Sequence, residues 1–199
     1  MAIDKDHVRE LVLQALETER GGIEVYENAI ECAENDELRE EWEKYLEQTR
    51  NHERVMLGLC EALGVDPEEE TPGRAVVRHI GKSLVGAMEM ARSSGDAGAA
   101  QLVATECVVL AETKDHLNWE LMEELSEHES GERKRALESA VEEVEEEEDK
   151  HLYHTQGWGR ELWLEALGLP AVIPPPEEEK DVTTAIGAAR AKQQREEML

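Results

Sequence analysis

Apolar residues return every three or four positions through four long stretches of this 199-residue sequence, and turn-forming residues cut the pattern at each end. That period is one face of an α-helix, so the chain has to bury helical stripes against one another. The first stretch, Asp4 to Glu34, carries Leu11, Val12, Leu16, Ile23, Tyr26 and Ile30. Glu34-Asn35-Asp36 breaks it with turn chemistry and an N-cap candidate in Asn35 or Asp36. A second helix follows through Leu38, Trp42, Tyr45, Val55, Leu59 and Leu63 to Gly64, a natural C-cap, so the two predict an antiparallel hairpin.

After the breaks at Asp66-Pro67 and Thr71-Pro72-Gly73, a shorter apolar pattern in Val76, Val77, Ile80, Leu84 and Met88 predicts a helix inside the connection, ending at Ser93-Ser94-Gly95-Asp96. The third long helix runs from Ala97 to about Glu127, with Leu102, Val103, Val108, Leu110, Leu117, Leu121 and Leu125 as its apolar set. His128 to Gly131 makes the next turn, and the fourth helix runs from near Glu132 to about Leu167. Gly157 and Gly159 strain that last helix, each weakening it by roughly 1 kcal/mol. The segment LGLPAVIPPPEEEKDV cannot stay helical, because three consecutive prolines favour an extended path. The expected organisation is therefore an all-α bundle over residues 1–169 and a proline-linked tail over 170–199. The end of that tail, Thr184 to Met198, forms one more helix if a partner surface supports it and is otherwise disordered.

The abundance of Glu, Ala, Leu, Lys and Arg, with Phe absent, gives the chain a strong intrinsic helical preference. A formal net charge of -27 speaks against nucleic acid or an anionic membrane as partner, since phosphate contacts rest on Lys and Arg. Cys32, Cys60 and Cys107 have no CxxC spacing and lie in apolar helical patterns, which is the usage of reduced core residues. The start MAIDKDHVRE places acids where a secretion signal needs a basic start and an apolar run, and no uninterrupted apolar stretch approaches about 18 residues. A cytoplasmic protein is expected.

Polar residues interrupt the stripes. On the fourth helix the line Val141, Val144, Glu148, His151, Thr155, Trp158, Leu162 is apolar above and below Glu148 and His151. One Glu-x-x-His pair among seven histidines is what a glutamate-rich chain produces by chance, so position carries the weight. Residues three apart share a helix face, and one helix can thus offer both a carboxylate and an imidazole to a single ion. His52 interrupts the second helix in the same way, with Thr49 where a second Glu-x-x-His would have its carboxylate. Glu19 is the single interruption on the first helix and Glu106 on the third.

Counting from the turns gives depth. Glu19 and His52 each lie about 16 residues from Asn35-Asp36, and Glu106 and His151 lie about 23 and 22 from Glu129, at about 1.5 Å per residue. Glu112 is the rival on the third helix, displaced by roughly four residues or about 6 Å, and Glu106 is preferred. Gln48 and Glu47 lie off the seam by about 100° or more. His116 and His154, beside the seams, read as surface or satisfied core histidines. Tyr26, Trp42 and Trp158 lie near the same level, where aromatics at helical spacing read as core filling.

A carboxylate on the first and third helices with Glu-x-x-His on the second and fourth resembles the di-iron or di-manganese centre of ferritin-like four-helix bundles, in the style of rubrerythrin-like proteins. The resemblance covers about residues 4 to 167, with Glu19-x6-Tyr26 and Glu148-x-x-His151 as its specific matches. It implies an antiparallel ferritin-like bundle with an extra helix in the long crossover and an extended C-terminal tail. It further implies metal ligands at Glu19, His52, Glu106, Glu148 and His151, iron or manganese as one or two bound ions, and an iron- or peroxide-linked oxidoreductase. Thr49 departs from the pattern and makes the di-metal site incomplete. The chain is expected to form a homodimer rather than a cage. The alternative is a non-catalytic bundle of the same fold, an oligomeric scaffold or stress protein, in which the buried Glu and His residues only fix helix register.

Overall fold

Four of the five long helices start where a short polar side chain satisfies their first amides. In a computed structural model, which describes residues 3–199, Asp4 caps α1 (Lys5–Cys32), accepting from the amides of Asp6 and His7. Asn35 caps α2 (Asp36–Leu63), and Thr71, followed by Pro72, caps α3 (Pro72–Ser93). Asp96 caps α4 (Ala97–His128), and α5 (Gly131–Ala166) follows a tight turn at Gly131, whose φ of 66° suits glycine. Two short helices, α6 (Pro176–Glu179) and α7 (Ala185–Gln194), complete the chain, with no strand among the described residues. Met1 and Ala2, the first residues of the segment searched for a leader, lie outside the described residues. No described helix is long and apolar enough to cross a membrane.

Packing gives the order α1, α2, α5, α4 around the bundle, with α3 laid against α1 and α4. The side-chain ties fix directions. Gln101 near the start of α4 accepts from the amides of Glu34 and Asn35 just past the end of α1, while Trp119, later in α4, reaches back to Glu19, so α1 and α4 are antiparallel. Tyr45 meets His154 and His52 meets Glu147, which makes α2 and α5 antiparallel as well. The 22-residue α3 thus carries the chain back along the bundle between its two hairpins. Gly21 and Gly81 let α3 sit close on α1, since a Cβ on Gly81 would lie 3.6 Å from the Gly21 Cα.

The apolar core is divided. One cluster gathers Val12, Leu16, Met56, Leu59, Met122 and Val144, and the other gathers Val25, Tyr26, Trp42, Val108, Trp158 and Leu162. Between them runs a buried polar layer that includes Glu19, His52, Glu112, Asp115, Glu148 and His151. All three cysteines are free and buried.

The tail is folded back rather than extended, and of the two alternatives for its end, helix or disorder, the helix forms as α7 with Thr184 as its cap. The last of its three consecutive prolines, Pro176, opens α6 at a position where a missing N–H costs nothing. Arg160 on α5 grips Glu177 through two 2.7 Å bonds, and Arg195 reaches Glu161, which also accepts the Val172 amide at 2.8 Å. Gly157 does not interrupt α5. It clears space instead, because a Cβ there would meet Glu177 Oε2 at 2.6 Å and Pro175 Cβ at 3.0 Å.

Candidate metal centre

Glu148 sits at the middle of the polar layer, 1% exposed, with an imidazole on either side. Its Oε1 lies 2.8 Å from His52 Nδ1 and 3.6 Å from His151 Nδ1. Glu19 Oε2 is 3.9 Å from the His52 nitrogen, and Glu112 Oε2 is 3.7 Å from the His151 nitrogen. Asp115 joins Glu19 and Glu148 in a second carboxylate trio, and in this trio, as in His52, Glu148 and His151, the ligand-type atoms all lie within 4.8 Å of one another. An ion bound at about 2.1 Å to each of its ligands puts neighbouring donors about 3 to 3.5 Å apart, the scale of this cluster.

Contacts on the outer side hold these groups inward-facing. The carboxylate of Glu147, 2.9 Å from His52 Nε2, can only accept, so that nitrogen carries the proton and the Nδ1 lone pair points into the layer. Gln48 Oε1 does the same for His151 Nε2 at 3.0 Å. Trp119 Nε1 donates to Glu19 Oε1 at 3.0 Å and leaves Oε2 facing the cluster. Asn118 links Asp115 to Thr18.

What remains on the inner side has no partner. Glu19 Oε2, Tyr26 Oη, His52 Nδ1, Glu112 Oε2, both Glu148 oxygens and His151 Nδ1 are buried and form no hydrogen bond. Even the 2.8 Å approach of His52 Nδ1 to Glu148 lacks hydrogen-bond geometry, as expected of two acceptors aimed at a common third point. None of the four carboxylates forms an ion pair with Lys or Arg among the described residues. Burial, reinforced by the neighbouring carboxylates, therefore pushes Glu19 and Glu148 well above the usual range. Burial also raises Glu112 to about 7 and Asp115 to about 8, and lowers His52 to about 4 and His151 to about 3.

Four of the five residues expected as ligands, Glu19, His52, Glu148 and His151, are thus brought together. Glu106 is not. It is exposed and accepts a bond from Trp163 Nε1 at 3.0 Å, and Glu112, the rival, takes the place level with His151. The depth count erred at the turn: Glu112 pairs with His151 and His116 with Asp149, so the hairpin's midpoint falls between residues 131 and 133 rather than at Glu129. An offset of about three residues at the midpoint doubles to about six on the opposite helix, the distance from Glu106 to Glu112. Asp115 was missed altogether, although Glu112-x-x-Asp115 has the spacing that drew attention to Glu148 and His151, and Gln48, set aside as lying off the seam, serves His151 Nε2 from the outer side. Thr49 offers nothing inward, because its hydroxyl donates to Tyr45 O and its methyl faces Gly22 across α1. His154 is a satisfied core histidine, held between Glu41, Tyr45 and the Val182 carbonyl.

No protein-family model, curated protein or solved structure matches this chain, so the layer is interpreted through its own geometry. Its buried His and Glu clusters could hold a metal ion.

Proposed function

We propose that this chain is a ferritin-like metal-binding protein whose polar layer takes up two divalent transition ions, iron or manganese, for oxidoreductase work on iron or peroxide. The observation that carries this reading is the convergence of seven buried, unpartnered polar atoms on one level of the bundle. Each such atom costs about 1–3 kcal/mol if nothing satisfies it, a total on the scale of a whole domain's stability. Bound cations remove that cost.

Charge supports the number of ions. Glu19, Glu112, Asp115 and Glu148, when ionised, balance two divalent cations, and the two neutral imidazoles add no charge. Asp115 supplies the carboxylate that Thr49 lacks, so an incomplete donor set is not part of this reading. The oxygen-rich donors with two imidazoles suit iron or manganese better than a structural zinc. The helix order, with one long crossover between antiparallel hairpins, supports the ferritin-like assignment.

Bound iron or manganese would supply one-electron chemistry toward oxygen or peroxide. The chain's own part is positioning. Glu148 would be a ligand at the centre of the set, Trp119 orients Glu19, and Gln48 and Glu147 fix the tautomers of the two imidazoles. Tyr26 lies beside Glu112 with its hydroxyl held protonated by burial, a hydrogen-bond donor aimed into the layer.

Metal analysis of protein made in iron- or manganese-supplemented cells tests the reading, with about two ions per chain expected of such a centre. The double variant Glu148→Ala, His151→Ala should then carry only traces. Trace metal in the unaltered protein, with stability unchanged in the double variant, rejects the proposal in favour of a metal-free scaffold.

A further inference from the structure

Glu148 also lines a cavity whose wall includes neither His52 nor His151. Its volume is about 210 Å³, room for several waters at about 30 Å³ each, and it is bounded by α4, α5 and the residues leading into α7. Trp119, Val141 and Glu148 are its buried lining, while Glu120, Glu123 and Glu145 are exposed. Partly buried in its wall stands His116, with Nδ1 3.4 Å from Asp149 Oδ1 and Nε2 3.5 Å from Glu120 Oε1. No Lys or Arg lines the cavity.

An acidic surface alone says little on a chain of net charge -27. Here, however, the acids line a cavity whose wall also includes Glu148, a side chain only 1% exposed with both carboxylate oxygens unpartnered. We propose that this cavity is the route by which divalent cations reach the polar layer, with His116 and Asp149 as a transient station between solvent and Glu148. The inference rests on the metal-binding reading above and adds the form in which metal arrives. A cleft lined by one sign of charge concentrates ions of the opposite sign and raises their association rate. The same field repels anions, so metal enters as a hydrated cation and not as an anionic chelate. The residues before α7 form one wall, which gives the docked tail a part in shaping the opening.

Cobalt(II) serves as the probe, because its absorption changes when imidazole and carboxylate replace water. Mixed rapidly with metal-free protein, the full chain should load at a rate that falls steeply as salt is raised, more slowly from cobalt citrate than from the aqua ion at equal total cobalt, and equally fast at equal free cobalt. The variant Glu120→Gln, Glu123→Gln, Glu145→Gln should load on the order of tenfold more slowly and reach the same final stoichiometry. Asp149→Asn should slow loading in the same way. A rate indifferent to salt, or a triple variant that loads as fast as the unaltered chain, overturns the route while leaving the metal centre intact. A triple variant with reduced final stoichiometry also overturns it, since those acids would then belong to the centre itself. Failure of the unaltered chain to bind cobalt overturns both readings.

Discussion

Glu17 and Glu19 stand two residues apart on α1, both buried, and their surroundings are opposite. Glu17 receives Arg74 Nε at 2.7 Å and Arg78 Nε at 2.5 Å, and these bonds outweigh its burial to hold the carboxyl below the usual range. Glu19 faces Asp115, Glu112 and Glu148 with no guanidinium in reach, and burial with those charges drives its carboxyl upward. At the tail, Glu161 and Glu177 repeat the Glu17 pattern with Arg160 and Arg195. The chain therefore supplies arginines to its buried acids where they serve as fasteners. It withholds them in one layer, which is what a binding place for external cations requires.

Removing the acid separates the two situations most sharply. Glu17→Leu leaves Arg74, itself 1% exposed, without its carboxylate and should cost about 3–5 kcal/mol in urea unfolding. Glu148→Leu should abolish metal binding yet raise the stability of the metal-free protein, by about 1–4 kcal/mol, because it relieves like-charge crowding. A loss of stability in the metal-free Glu148 variant, measured in the presence of chelator, would erase the distinction.

Acidity gives a smaller effect of opposite sign in the two places. Between pH 6.5 and 8 the metal-free layer keeps protons on Asp115, whose folded value is about 8 against an ordinary 3.8, and in the lower part of that range on Glu112, at about 7 against 4.5. The unfolded chain has released them, so stability falls as pH rises through this window. The imidazoles, at about 4 and about 3 in the folded state against 6.5, add an opposing slope only below pH 6.5, where the raised acids outnumber them. Glu17, with its lowered carboxyl, stabilises fully above its ordinary value of 4.5 and loses that contribution as pH falls through its folded value. Melting midpoints of chelator-treated protein should accordingly drop from pH 6.5 to pH 8, whereas a rise would contradict the layer's electrostatics. The smallest effect is expected at Thr49: its hydroxyl serves only its own helix, so Thr49→Val should shift stability by no more than about 1 kcal/mol and leave metal content unchanged.

Much of the fold can be read from cap and turn chemistry. Asn35, Gly64, Thr71-Pro72 and Asp96 mark helix ends without help from tertiary structure. The inward face of α4 is harder, because this helix buries Glu112, Asp115 and Asn118 while exposing Leu110, Leu117 and Leu121, and an apolar stripe sought there points outward. That inversion is why Glu106 stood in for Glu112 and why Asp115 went unseen. The tail is harder still. Its docking depends on Arg160 and on the bare backbone of Gly157, long-range partners that local pattern does not reveal.

The divided core has a consequence for cooperativity. The two apolar clusters meet only through a sheet of like-charged and unpartnered groups, so each end of the bundle can loosen without dragging the other along. Amide exchange in the metal-free protein should then show two blocks with separate protection, one around Leu16 and Met56 and one around Trp42 and Trp158. Metal would rivet them into a single melting unit.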